Sequence, residues 1–172
     1  PDELGVLNRL VVQCVSYLNT PRGLNEEGLF RVPGDMTDIG KLRMKFINGD
    51  EVDLSGIMDP NTVAGLLKFH FRELRFSIMP RGDPTKKLLA AMKENNTAEA
   101  RDVMANIPQE NLASLRILLE LFVKVRDNSE VNLMTSANLG QTCGMAIFHD
   151  MGAANSAFVL RFLIDNKEEV LP

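Results

Sequence analysis

The sequence predicts an all-α fold, a single compact multi-helix domain spanning residues 1–172. Three observations predict it. Apolar residues recur at spacings of three and four along most of the chain, and no stretch alternates convincingly at a period of two. No unit of roughly 20–50 residues repeats, which argues against a solenoid. At 172 residues, 45% hydrophobic and 24% charged, the chain has the size and balance of one globular domain with one core.

The elements follow in order. Leu7, Leu10, Val11, Cys14, Val15 and Leu18 give a first helix one apolar face, and Asn19-Thr20-Pro21-Arg22-Gly23 breaks it. From Gly23 to Gly34, three glycines and Pro33 mark a shaped loop closing a short helical turn. Asp35 and Thr37 are capping residues for a helix that buries Ile39, Leu42 and Phe46 and ends at Asn48-Gly49-Asp50. Residues 50–59 form a polar connection. Asp59-Pro60 then starts a helix burying Val63, Leu66, Leu67, Phe71 and Leu74. After a connector at residues 75–84, short helices cover about 85–94 and 97–106. Ile107-Pro108 introduces a longer helix with Leu112, Leu115, Leu118, Leu119, Phe122 and Val125 inward, ended by Asp127-Asn128-Ser129. Thr135 caps a helix over 136–149, with Leu139, Cys143 and Ile147 on one side and Asn138, Thr142 and Met145 on another. The last helix covers about 155–166 and buries some of Phe158, Val159, Phe162 and Leu163. The methionines, scattered at core-like positions, read as filler.

Composition excludes several functions. A net charge of −4 argues against a nucleic-acid partner, which calls for a basic face. No apolar run approaches the roughly 18 residues of a membrane span, and no signal peptide opens the chain. Pro1, standing where a start methionine would, points to a domain cut from a longer protein. Cys14 and Cys143, far apart, fit a reducing, cytosolic compartment, and with His70 and His149 equally scattered no metal site is expected. Both histidines read as parts of helix faces or ends. No phosphate loop, nucleophile elbow or His-Glu-x-x-His pair is present, and no spacing singles out an acid/base couple. An autonomous enzyme is therefore not expected.

Two cationic features stand out. Arg31 sits among Leu29, Phe30 and Val32, which can be buried, between Gly28 and Gly34, which permit backbone angles closed to other residues. It either pairs at home with Glu26 or Glu27 or is a guanidinium held out on a rigid arm. Lys68 and Arg72, four residues apart, share one helix face. They form either a solvated basic face or a surface for an anionic partner. On residue pattern alone the chain is a helical interaction domain.

Several motifs, in order, resemble the Rho-family GTPase-activating (RhoGAP) domain. Glu27-Gly28-Leu29-Phe30-Arg31-Val32-Pro33-Gly34 is similar to its arginine-finger loop, Glu-Gly-Ile/Leu-Phe-Arg-x-x-Gly. Cys14-Val15-Ser16-Tyr17-Leu18 looks like its opening helix, and Leu67-Lys68 with Arg72-Glu73-Leu74 like its Leu-Lys-x-x-x-Arg-Glu-Leu signature. Ile107-Pro108-Gln109-Glu110-Asn111 resembles Leu-Pro-x-x-Asn, and Asn132-Leu133-Met134-Thr135-Ser136-Ala137-Asn138-Leu139 resembles Asn-x-Met-Thr-x-x-Asn-Leu. The resemblance implies a RhoGAP-like helical bundle that stimulates GTP hydrolysis by a Rho/Rac-type small GTPase. It implies Arg31 as the catalytic finger, Lys68, Arg72 and Asn138 as GTPase-binding residues, and Gly28, Phe30 and Gly34 as shapers of the loop. GTP and Mg²⁺ would be held by the partner, with no cofactor of the chain's own. A cytoplasmic location follows, with recruitment to membranes by flanking domains left open. A binding module of the same fold that activates poorly is the alternative. Two departures bear on it. Residues 75–78 lack both prolines of the family's Pro-x-Pro-Leu, and Cys143-Gly144-Met145-Ala146-Ile147 stands where the family has Phe-Gly-Pro-Asn-Leu. If the second weakens contact with the GTPase, a proline at Met145 raises affinity.

Overall fold

The computed structural model describes residues 3–75, 77–79 and 81–171, with side chains from Arg9 onward. Among the described residues there are eleven α-helices and no strand. They are α1 (Glu3–Leu18), α2 (Pro21–Leu24), α3 (Met36–Asn48), α4 (Pro60–Arg72), α5 (Asp83–Lys93), α6 (Thr97–Ala105), α7 (Gln109–Asp127), α8 (Ser129–Asn132), α9 (Ser136–Ile147), α10 (Ala153–Asp165) and α11 (Lys167–Val170). The expected all-α class is what is found.

The core is a ring of four helices. α1 packs on α4 and α7, and α9 closes the ring by packing on the same two. Each lends one apolar face: Leu10, Val11, Cys14 and Leu18 from α1, Leu66, Leu67 and Phe71 from α4, Leu115, Leu118 and Phe122 from α7, Leu139, Cys143 and Ile147 from α9. Outside the ring, α3 covers α4, α10 covers α9, and α5, α6 and α11 pack together near one another. The place given to Leu7 on this first face lies outside the described side chains.

The caps act where the sequence puts them. The Asp35 carboxylate accepts from the Asp38 N–H at 2.9 Å, and Asp59 accepts from the Asn61 N–H at 2.9 Å with Pro60 opening α4. Gly49 ends α3 in a left-handed conformation, φ 81°. Four expectations need correction. The break after α1 is itself a helical turn, α2, because Pro21 sets its first φ and the Thr20 hydroxyl caps it. Thr37 lies inside α3, since Asp35 is already its cap. α9 stops at Ile147, and a 3₁₀ turn over His149–Met151 leads into α10. The methionines divide: Met79, Met92, Met104 and Met134 are buried, but Met36, Met44, Met58 and Met145 are exposed. α3 is the clearest case, covering the core with one face and leaving Met36 and Met44 on the other.

Cys14 and Cys143 are both buried and free. Burial pushes the Cys143 thiol up to about 11 and raises Cys14 as well, so neither offers a thiolate. Among the described residues no group of His, Cys, Asp and Glu is placed to hold a metal ion, and no helix is long and apolar enough to cross a membrane. Burial, and then the Arg43 guanidinium, pull His70 down from 6.5 to about 4. The unfolded chain binds this proton where the folded chain does not, so stability is lost as pH falls from 6.5 towards 4. His70→Gln is expected to flatten the urea-midpoint curve over that interval. Curves that stay parallel would clear His70 of the effect.

Candidate functional site

The loop from Asn25 to Asp35 joins α2 to α3, and its shape is set by two adjacent reversals. Gly28 has φ 71°, and a Cβ there would meet Val32 Cγ2 at 2.8 Å. The Gly28 carbonyl accepts from the N–H groups of both Arg31 and Val32, at 2.7 and 2.9 Å. Phe30 also has φ 71°, a left-handed conformation costing a non-glycine residue about 1–3 kcal/mol. It is held there from inside. The Phe30 ring is buried and meets Phe122 of α7 edge-on at 5.2 Å. Its carbonyl accepts from Lys68 Nζ at 2.8 Å. With Leu29 and Phe30 turned inward, Arg31 is the first residue to emerge into solvent.

Anchors from two other helices, α8 and α4, fix the base of the loop. The Gly28 N–H donates to the Asn132 carbonyl at 2.8 Å. Asn132 is itself fully buried. Its amide donates to the carbonyls of Leu24 and Val125, and its Oδ1 accepts from the Met134 N–H. Every polar group of this side chain that a helix end could use is thus engaged, tying α2, α7 and the start of α9 to the loop. On the far side Glu26 accepts from the Asn61 amide at 2.7 Å, and the Asp35 N–H donates to the Thr62 hydroxyl at 3.1 Å. Gly34 acts here by close approach: its φ is ordinary, but a Cβ would lie 2.4 Å from Thr62 Cα and 2.6 Å from the Asn61 carbonyl oxygen. Val32, expected inside, is 42% exposed, because the turn that buries Phe30 carries the next residues outward.

Arg31, Lys68 and Arg72 line one cleft of about 210 Å³, with the loop from Phe30 to Gly34 on one side and α4 on the other. Ala146 of α9 reaches the same cleft. Among the described residues no carboxylate lines it, although the chain is acidic overall. Glu26 is occupied by Asn61, and among the described residues Arg31 forms no ion pair with Glu26 or Glu27. The home-pairing alternative is therefore not what the structure contains. Lys68, half-buried, is committed to the Phe30 carbonyl, while Arg72 lies over the Phe69 ring at 4.9 Å and 3.7 Å from Glu73. Arg43 stacks on the same ring at 5.2 Å, so Phe69 steadies two guanidinium groups.

Asn138 is placed differently. It is the third residue of α9 and completes a capping box with Thr135, donating its N–H to Oγ1 at 3.2 Å and accepting the Thr135 N–H on Oδ1 at 3.3 Å. It stands eight residues before Ala146, about 12 Å back along the helix, outside the cleft lining. Asn132, which holds Gly28 in the Arg31 loop, also accepts from the Met134 N–H just ahead of this capping box. Met145 is 43% exposed within α9, where a proline would remove a helical N–H from its acceptor, so any gain in affinity from that change is set against a loss of about 3 kcal/mol in α9. Sequence reasoning missed Asn132 and Phe122 as supports. Asn132 had one signal, as the first residue of the quoted motif; Phe122 looked like any core aromatic.

Fold and cleft together define an all-helical domain that mounts one exposed arginine on a braced loop beside two further cations. Comparison with known proteins places it more narrowly. A family model described as the RhoGAP domain matches residues 9–151. The chain belongs to the RhoGAP domain family. It is 31% identical over 153 residues to Rho GTPase-activating protein gacJ of Dictyostelium discoideum, covering 87% of this chain and 17% of that one. It is 34% identical over 140 residues to Rho GTPase-activating protein 22 of Mus musculus, covering 78% and 20%. The chain thus spans about a fifth of the length of these curated relatives. The BH domain of the GTPase regulator associated with focal adhesion kinase superposes with a TM-score of 0.83 at 26% identity, covering 97% of each chain. Human Rho GTPase activating protein 15 shares the fold, with a TM-score of 0.88 at 21% identity over 95% of this chain and 83% of that one.

Proposed function

We propose that the chain accelerates GTP hydrolysis by a Rho/Rac-type small GTPase and that Arg31 is the finger it inserts. The observation that carries this reading is an exposed arginine, without a carboxylate partner among the described residues, on a loop whose backbone is braced from inside. A guanidinium mounted in this way loses little freedom on docking and meets no competing anion at home. In the partner's site it would stabilise the charge that develops on the transferring phosphoryl group, an effect of about 10³–10⁵ in rate. The partner holds GTP and Mg²⁺; this chain supplies the missing charge and holds neither. Lys68 positions the finger loop and Arg72 meets the GTPase surface. Asn138 contributes to the same surface from α9, and Gly28, Phe30 and Gly34 shape the loop.

Single-turnover GTP hydrolysis by a panel of Rho, Rac and Ras proteins tests the reading. Acceleration of a Rho or Rac member, absent with Arg31→Ala, is the expected result. A GTPase that binds without acceleration would instead identify a recruiting module. One observation favours that second reading: Ala146, where the family pattern has asparagine, faces the cleft and offers no polar group to a partner.

Arg72→Ala is expected to raise the concentration of domain needed for half-maximal acceleration, by about three- to tenfold at low salt and less at high salt, with the maximal rate unchanged. The side chain is exposed and bonds nothing in the loop, so its charge acts on encounter and docking. Salt-independent effects would remove it from the interface.

A further inference from the structure

We propose, building on the function inferred above, that Ser77 is a positioning residue that clasps the connector after α4 to the end of α9 and so holds the α9 wall of the cleft. Ser77 is buried. Its Oγ–H donates to the Ile147 carbonyl at 3.2 Å, and its backbone N–H donates to the Asp150 carboxylate. Ile147 is the last residue of α9, and carbonyls in a last helical turn have no partner within the helix. The neighbouring amides do not supply one: the Phe148 N–H returns to Gly144 and the Met151 N–H to Phe148. Ser77 caps the helix from outside.

The clasp has further points of attachment. Arg81, on the same connector, grips Asp150 through two bonds of 3.0 and 2.8 Å. These bonds hold the Asp150 carboxyl down at about 2, so it stays ionised across the working range of pH. Asn111 of α7 donates to the Ile78 carbonyl at 2.8 Å. Ala146, one residue before Ile147, lines the cleft with Arg31 and Lys68. The clasp therefore joins the strand of chain leaving the Lys68–Arg72 helix to the helix end that faces it across the cleft.

Ser77 occupies the second proline position of Pro-x-Pro-Leu, and the backbone carbonyl it meets, that of Ile147, follows the Met145-Ala146 pair that stands where the family has Pro-Asn. Proline at 77 would have neither hydroxyl nor N–H, so both bonds would be lost. The clasp thus depends on serine at the first departure and ends beside the second.

Ser77→Ala, Ser77→Thr and Ser77→Pro test it, in single-turnover assays at varied domain concentration with the GTPase that the wild type accelerates. Ser77→Ala is expected to raise the half-saturating concentration about fivefold while leaving the maximal rate within about twofold. Ser77→Thr, which keeps the hydroxyl, restores it, and Ser77→Pro exceeds Ala. A role confined to stability would lower the melting temperature and leave half-saturation at room temperature untouched; that result, or wild-type docking by Ser77→Pro, overturns the proposal. If the wild type accelerates no GTPase, the functional reading fails, and the clasp is then judged by amide exchange of residues 144–148. Exchange there about tenfold faster in Ser77→Ala supports it. Unchanged protection overturns it.

Discussion

Replacing Arg31 by alanine is expected to slow single-turnover hydrolysis by the partner GTPase about 10³-fold or more, equivalent to at least about 4 kcal/mol of barrier, while the complex still forms. The size follows from what the guanidinium does and does not touch. Its own loop is held by the backbone of Gly28, by the buried ring of Phe30 and by Lys68, none of which needs the Arg31 side chain. Alanine therefore deletes a charge and leaves the scaffold. Lysine at the same position keeps a positive charge but lacks the planar fork that meets two oxygens at once, and is expected to recover only a small part of the rate. Titrating the domain against a GTP-loaded partner, with binding and rate measured on the same samples, separates the two effects. Rate, affinity and melting temperature falling together would make Arg31 a structural residue.

Lys68→Ala is expected to lower the maximal rate about tenfold to a hundredfold, a larger effect on rate than on affinity. Charge-assisted bonds of this kind contribute about 1.5–3 kcal/mol. Here the bond ends on the carbonyl of Phe30, whose left-handed backbone stores strain and adjoins Arg31. Without it the loop gains a way to relax, and the fraction of molecules presenting Arg31 correctly falls by the factor the bond supplied. Lys68 and Arg72 looked equivalent as two cations of one helix face, yet they separate by this test. A Lys68→Ala domain with full maximal rate and weakened half-saturation would make Lys68 a contact residue like Arg72.

The fold was largely legible in the sequence because its signals are local. Asp35, Asp59 and Thr135 cap their helices within three residues, and Gly49 ends α3 by its own φ. Most of the apolar residues picked out in α1, α4, α7 and α9 are buried between these helices, as their spacing predicts. The failures came where burial depends on what lies opposite. Val32 and four methionines are apolar and exposed because nothing packs over them, a fact no periodicity contains. Gly34 was noticed for its backbone freedom and matters instead for the proximity of Thr62.

The sequence by itself determined the all-α class, the position and ends of most helices, and a lone arginine in a glycine-bounded loop, since period, caps and turn residues act over a few positions of chain. Only the tertiary structure decided that Phe30 is turned left-handed against Phe122, that Asn132 anchors Gly28 from more than a hundred residues away, and that Ser77 closes α9 across 70 residues. It also decided that Arg31, Lys68 and Arg72 share a cleft that no carboxylate among the described residues lines. Those are contacts between segments distant in the chain, and their energy depends on which faces the packed helices bring together.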